Sequence, residues 1–401
     1  MIRNYILKKL LCRAINPSIE EILQYAVSNV EYYKRYNPSK LSSFPVLTKD
    51  LVRKNYDELI SRHRKKIKYI ENTSGGSTGE PVRFLHDNHY LKTNRYNTWN
   101  IKSNIGYEPG ELMFKIWGED LSLSMHSLHR NRVMNLIKNV EFFNTFGFSV
   151  EDLHCLINRL VNKKPKLVVS YVSAMYEICE LLKIESRFIN LDCPVVVSAG
   201  TLYEDRRIEI EKRLGCKVYN RYGSREVGNI ASELPTEKGL VVSPCHYVEI
   251  LGDNDEVLPP GEQGRIVVTC LTNKIMPLIR YDIGDIGSLL PIVDGKQRLA
   301  NVSGRSFEFF ITKSGCKIHG QHFVTLVYRN KFILKFQFVQ HSYDLVELSY
   351  VGHKLNDDDI DKIDSGIKMV MGEQCVLKTS QVTEIPCLPS GKHIYTKTYV
   401  S

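Results

Sequence analysis

Several absences narrow what this chain can be. Its ten cysteines are scattered and no two form a Cys-x-x-Cys pair. The start also lacks a long apolar core followed by a small-residue cleavage site, so a reduced, cytoplasmic protein is expected rather than a disulfide framework. No run approaches the roughly 18 to 20 apolar residues that crossing a bilayer takes. The basic, amphipathic opening from Met1 to Leu11 suits a docked helix, with a peripheral membrane contact as the most it would give. His319-Gly320-Gln321-His322 is a close His pair, but ordinary surface or core histidines are the better reading of it, so zinc is not expected. The densest basic run, Arg62-His63-Arg64-Lys65-Lys66-Ile67-Lys68, has no interleaved aromatics. It reads as a solvated face, and no nucleic-acid partner is expected.

What is present is ordinary globular composition. With 401 residues, 43% hydrophobic and 25% charged, the chain is long enough for two or three domains. A net charge of +9, from 54 Lys and Arg against 45 Asp and Glu, suits an anionic substrate first.

The most concentrated chemistry lies at Asn72-Thr73-Ser74-Gly75-Gly76-Ser77-Thr78-Gly79-Glu80-Pro81. Four hydroxyls and three glycines occupy the seven positions from Thr73 to Gly79. Backbone N–H groups there are free to converge on an oxyanion, and the missing Cβ atoms permit close approach. A solvated Ser/Gly loop fits the same composition, and the run has no Gly-Lys-Thr ending, so it is not a Walker loop. Lys68-Tyr69-Ile70 predicts a strand into the run and Val82-Arg83-Phe84-Leu85 a strand out of it.

Upstream, apolar positions from Ile19 to Tyr33 predict a helix over 18–35, and Pro45 to Asp50 supplies a turn and an N-cap for another. From about 88 to 240, helical patterns alternate with short β-branched runs, notably Lys166 to Ser170 and Pro194 to Ser198. That alternation predicts an α/β sheet faced by helices. Ligands in such sheets lie beyond the strands' carboxyl ends, which places Ser198-Ala199-Gly200 where a flat ring would fit. Residues 241 to 300 predict a β-rich subdomain. From about Gly304, strands near 307–312 and 334–350, a helix near 356–371 and a basic loop at Pro389-Ser390-Gly391-Lys392 make a small further domain.

Asn220-Arg221-Tyr222-Gly223-Ser224-Arg225-Glu226 places an aromatic ring for a purine and a carboxylate for magnesium close together. Arg280 to Asp285 offers two carboxylates in a turn, one of them for ribose hydroxyls. Gly304-Arg305 and Lys392 offer cations for an anion. Each has an ordinary structural reading alone.

In this order and at these separations the segments resemble the adenylate-forming superfamily of acyl and aryl coenzyme A ligases, and within it the phenylacetate-CoA ligase and CapK-type capsular polysaccharide branch. The resemblance spans Pro45 to the Lys392 loop. It implies an α/β fold, with a large N-terminal adenylate-forming domain (1–303) of mixed sheets and a β-rich subdomain, and a small mobile α+β C-terminal domain (304–401). It further implies that Thr73, Ser74, Gly75, Gly76, Ser77, Thr78 and Gly79 form the phosphate loop. Asn220 and Tyr222, with Gly223 beside them, would meet adenine, Glu226 the magnesium and Asp285 the ribose. Arg305 would follow the domain boundary, Glu308 sit at the hinge, and Lys392 assist adenylation. ATP and Mg2+ are the expected cofactors, with coenzyme A as a candidate. The expected partners are a small-molecule carboxylate and an acceptor thiol, on coenzyme A or a carrier protein, or a sugar amine. A catabolic aryl-CoA ligase and a degenerate nucleotide-binding scaffold are the rival expectations.

Two departures stand out. Val82-Arg83 replaces the lysine that many relatives carry after the proline, which leaves Arg83 or Arg225 to supply its charge. Residues 107 to 165 also lack the aromatic-His-Tyr-Gly pattern of phenylacetate ligases.

Overall fold

The computed structural model describes residues 17–73, 82–118, 125–145, 150–305, 309–328, 333–385 and 394–400. Ser74 to Gly79, Glu308 and Lys392 therefore lie outside the described residues, as does the side chain of Arg305.

The first described helix, Ile19–Asn29, begins where the Ser18 hydroxyl accepts from the amides of Glu20 and Glu21 at 3.1 and 3.4 Å. It buries Ile22, Leu23 and Ala26 and stops short of residue 35, because Val30 turns extended and bridges to Ser61. Thr48 caps the helix Lys49–Lys54 as its sequence suggests, accepting from the Leu51 amide at 3.3 Å. Strands β1 (Tyr69–Thr73) and β2 (Arg83–Asp87) then pair antiparallel, with Thr73 opposite Arg83, so both flanks of the glycine run are anchored in one ladder. Asp87 ends β2 and caps the helix Asn88–Asn104 through the Tyr90 amide at 2.8 Å.

The alternating region supplies β3 (Met113–Trp117), β4 (Val140–Asn144), β5 (Leu167–Tyr171) and β6 (Pro194–Ser198). Strands β3, β5 and β6 run parallel, and β5 is buried along its whole length. Such burial on both faces is what an uninterrupted apolar run provides. The helices Val172–Ile184 and Glu204–Leu214 follow β5 and β6. Strands β7 (Lys217–Ser224) to β13 then form an antiparallel region: β8 (Gly228–Ser232), β9 (Leu240–Val242), β10 (His246–Leu251), β11 (Gly264–Cys270), β12 (Tyr281–Leu289) and β13 (Arg298–Arg305). The closing segment holds β14 (Phe309–Ile311), β15 (Lys317–His319), β16 (Ile333–Ser342), β17 (Leu345–Gly352), β18 (Val376–Gln381) and β19 (Thr396–Thr398), with helices Gln321–Tyr328 and Asp357–Met371.

Two compact units result. One comprises 1–112, 126–140 and 219–303, the other 113–125, 141–218 and 304–401. In the first, the order β10-β11-β12-β13-β9-β8-β7 packs on a core that includes Phe84, Tyr90, Val227, Ile266, Val268 and Tyr281. In the second, β6-β5-β3-β4 lie side by side, and the four-stranded sheet β18-β17-β16-β19 closes over Phe310, Phe323, Phe338, Leu348 and Ile367.

One expectation is corrected. Arg280 to Asp285 is not a turn: all but Arg280 lie in β12, opposite β11. The pairing shifts register between Arg265, opposite Ile286, and Val267, opposite Asp282, so β12 carries the extra residues in a bulge where Gly284 takes φ +82°, and the two aspartates lie in a strand that propensity alone disfavours.

Candidate active site

Glu226 stands in the tight turn joining β7 to β8, and that turn is made by glycine. At Gly223, where the pairing shifts register, a Cβ would fall 2.3 Å from the carbonyl oxygen of Gly228. Gly228 itself has φ +78°, and a Cβ there would meet Asn94 Oδ1 and the Tyr90 hydroxyl at 2.6 Å each. Both strands can therefore close tightly only without side chains at these positions.

Strand β12 brings partners to the turn. The Tyr222 hydroxyl donates to Asp285 Oδ2 at 2.8 Å, and the Tyr281 hydroxyl lies 3.5 Å from Glu226 Oε1, the limit of a hydrogen bond. Tyr222, Asp285 and Glu226, picked out from separate stretches of sequence, thus lie in one unit, the first two bonded to each other. Of the two aspartates in β12, Asp282 is committed to structure, since it accepts from Arg265 at 2.8 Å and from the Gly284 amide at 2.9 Å. Asn220 lies within β7, its amide donating to Glu233 Oε2 at 2.7 Å. Thr73 ends β1 in the same unit.

Glu226 is only 6% exposed, and no cation pairs with it among the described residues. A buried carboxylate without a counter-charge is costly, and a bound cation removes that cost. Magnesium takes oxygen ligands and commonly one or two carboxylates together with substrate phosphates, so this donor fits it.

Two buried histidines went unnoticed in the sequence. His86 on β2 places Nε2 2.9 Å from the Glu226 carbonyl oxygen, and His246 on β10 places Nε2 2.7 Å from that of Val227. A carbonyl only accepts, so each Nε2 carries the proton. Burial lowers both pKa values, that of His246 to about 4, which keeps the rings neutral near pH 7. No sequence spacing ties either to Glu226, because tertiary pairing brings each to the turn.

The second unit carries Ser198-Ala199-Gly200 at the carboxyl end of β6, as its strand pattern suggests. Ser198 is buried and pairs with Tyr171, while Ala199 adopts φ +61°, a left-handed conformation that costs a non-glycine residue about 1 kcal/mol. A Cβ on Gly200 would meet Val172 Cβ at 3.0 Å, which presses this loop onto the start of the helix Val172–Ile184. Beside Tyr171, the Trp117 ring stands 4.0 Å away between centroids, an aromatic surface at the ends of β3 and β5. Arg305 ends β13.

Arg83 and Arg225 are the two candidates for the missing lysine's charge. Arg83 Nε donates to Glu71 at 2.6 Å, and its guanidinium lies over the Tyr56 ring at 4.8 Å. Arg225 is exposed on the turn next to Glu226.

Residues 310–398 match the CapK C-terminal domain family. The protein CapK of Staphylococcus aureus is 24% identical over 404 residues, covering 94% of this chain and 87% of its own length. The phenylacetate-coenzyme A ligase of Aromatoleum evansii is 25% identical over 331 residues, covering 73% and 69%. A crystal structure of 2-hydroxyisobutyryl-CoA ligase in the postadenylation state, in complex with R3-HIB-AMP, shares the fold with a TM-score of 0.70 at 16% identity, covering 95% of this chain and 88% of the other. The fold is that of an adenylate-forming ligase. Along most of its length the chain is similar to the CapK protein and to a phenylacetate-coenzyme A ligase.

Proposed function

We propose that this enzyme activates a carboxylic acid with ATP, releasing pyrophosphate and forming an acyl-adenylate, and then passes the acyl group to a thiol or amine. The observation that carries this is the buried Glu226 carboxylate, paired with no cation among the described residues, on the turn that follows the strand of Tyr222, which bonds to Asp285. The substrate carboxylate is itself the nucleophile, so the chain needs no general base. It must align the carboxylate with the α-phosphorus and neutralise phosphate charge.

Thr73 to Gly79 cradle the β- and γ-phosphates. Tyr222 and Asn220 hold adenine, Asp285 and Arg305 the ribose side, and Ser198 to Gly200 the flat edge of the ligand. Bound at Glu226, Mg2+ supplies charge neutralisation to the phosphates. Trp117 and Tyr171 offer an aromatic surface to the organic part of the acid. Arg225, next to Glu226 on the turn, replaces the absent loop lysine. Residues 304–401 act as a small mobile domain, with Glu308 at the hinge.

The likeness to CapK along most of both chains supports a place in capsular or surface polysaccharide synthesis, with a carrier thiol, coenzyme A or a sugar amine as acceptor. A screen of fatty, aromatic and amino acids for ATP-dependent pyrophosphate release tests the activity. One class of acid should trigger release, and no release from any of them, with ATP failing to bind, would overturn it. Consumption of coenzyme A with aromatic acids would move the assignment to a catabolic aryl-CoA ligase.

A further inference from the structure

The turn that carries Glu226 is held at successive carbonyls by two imidazoles, His86 on the Glu226 oxygen and His246 on the Val227 oxygen. Its far side is fixed as well, for the Asn229 amide donates to Asn94 Oδ1 at 3.0 Å. His86 differs from the other contacts because its second nitrogen is also engaged. Asn72 Nδ2 lies 3.0 Å from His86 Nδ1, and Asn72 immediately precedes Thr73, where the glycine run starts. Since the Glu226 carbonyl requires a proton on Nε2, a neutral His86 ring must accept at Nδ1, and Asn72 must present its amide N–H. The ring cannot easily tilt away from this arrangement. It stacks on Tyr90 with centroids 4.1 Å apart and planes at 26°, and Phe84 flanks it at 5.0 Å.

The geometry points to His86 as a positioning residue that ties Asn72, in the strand leading into the glycine run, to the backbone of Glu226, so that the end of β1 and the metal carboxylate are set in one register. This rests on the nucleotide-site assignment given above. His86 touches neither nucleotide nor metal. It acts through Asn72 on one side and through the peptide of Glu226 on the other, in the way outer partners orient metal-binding groups.

The two ends of the ring can be separated by substitution. In His86→Asn the short amide reaches the Nδ1 position, keeping a partner for Asn72 and losing the Glu226 bond. In His86→Gln the longer amide reaches the Nε2 position and keeps a donor for Glu226. Binding of ATP is measured by calorimetry with and without Mg2+, with thermal unfolding recorded for each variant. The expected outcome is that His86→Asn weakens ATP binding in Mg2+ about 10-fold and leaves Mg2+-free binding nearly unchanged, while His86→Gln recovers most of the loss. A merely structural role would lower the unfolding temperature of both variants without this dependence on metal. Folded variants that both bind ATP in Mg2+ like the wild type overturn the proposal.

Should neither variant fold, Asn72→Ala removes the other end of the link and must weaken Mg2+-dependent ATP binding; unchanged affinity is equally fatal. Independently of any ligand, nitrogen NMR of 15N-histidine-labelled protein, with the His86 signal assigned by its loss in the variants or its shift in Asn72→Ala, must show the Nε2-protonated tautomer, and an Nδ1-protonated ring overturns the link. A wild-type chain that binds no ATP defeats the nucleotide-site assignment instead, while the tautomer still decides the arrangement of His86.

Discussion

At the scale of single residues, burial and pairing separate groups that look alike in sequence. Asp282 and Asp285 stand three positions apart in one motif, yet Arg265 and a backbone amide occupy the first, while the second meets Tyr222. Position separates the arginines: Arg83 lies on β2 beside Glu71 and Tyr56, and Arg225 lies on the turn next to the buried Glu226. A charge-assisted hydrogen bond to phosphate contributes about 1.5–3 kcal/mol, so Arg225→Ala should raise the KM for ATP in pyrophosphate exchange about 10-fold or more, and Arg83→Ala should leave it within about twofold. Steady-state exchange kinetics on the two variants check this. The reverse pattern would assign the missing cation to Arg83 and require its bond to Glu71 to open.

At the scale of elements, the antiparallel region around β10 carries its own titration. His246 is buried with Nε2 bonded to the Val227 carbonyl, and burial holds its pKa at about 4, below the ordinary value of 6.5. The unfolded chain therefore binds the extra proton between those values and the folded one does not, so this contribution to stability is complete above about pH 6.5 and is lost as pH falls toward 4. A shift of that size corresponds to about 3 kcal/mol. Urea unfolding at pH 7.5 and 5 should show the loss, and His246→Gln, which keeps an amide donor for Val227, should show a shallower one. Equal slopes in both proteins would remove His246 from the account.

Element boundaries explain what sequence revealed and what it hid. Leu167–Tyr171 and Pro194–Ser198 were legible because strands buried on both faces are continuous apolar runs, and the strands flanking the glycine run because β-branched and aromatic residues border it. β12 was not legible, since two aspartates and a glycine argue for a turn until Arg265 and a bulge are known. Of the site, Tyr222, Glu226 and Asp285 were visible as residue types in order. His86, His246 and Asn72 were not, for their roles depend on pairings between strands far apart in the chain.

At the scale of the whole molecule, the residues from 310 onward possess a core of their own, in which Phe310, Phe323, Phe336 and Phe338 meet Leu348, Ile363 and Ile367. A segment that buries its own apolar side chains keeps its fold when it moves as a body, and on that ground we propose 304–401 as mobile even though it clusters with 141–218 in one compact unit. The chemistry proposed gives such a segment a task. Charge on the α-phosphoryl group builds up only while the acid attacks, so a cation delivered for that step alone lowers the barrier without holding the nucleotide tightly at other times. Lys392, flanked by Gly391 in a basic loop, is the residue we assign to that task. Lys392→Ala should lower pyrophosphate exchange by about 100-fold or more, the cost of removing one transition-state charge partner, while ATP binding stays largely intact. Exchange assays paired with calorimetric ATP binding separate the two effects. Near-normal exchange in the folded variant would remove Lys392 from the adenylation step, and a parallel loss of ATP affinity would recast it as a ground-state ligand of the nucleotide.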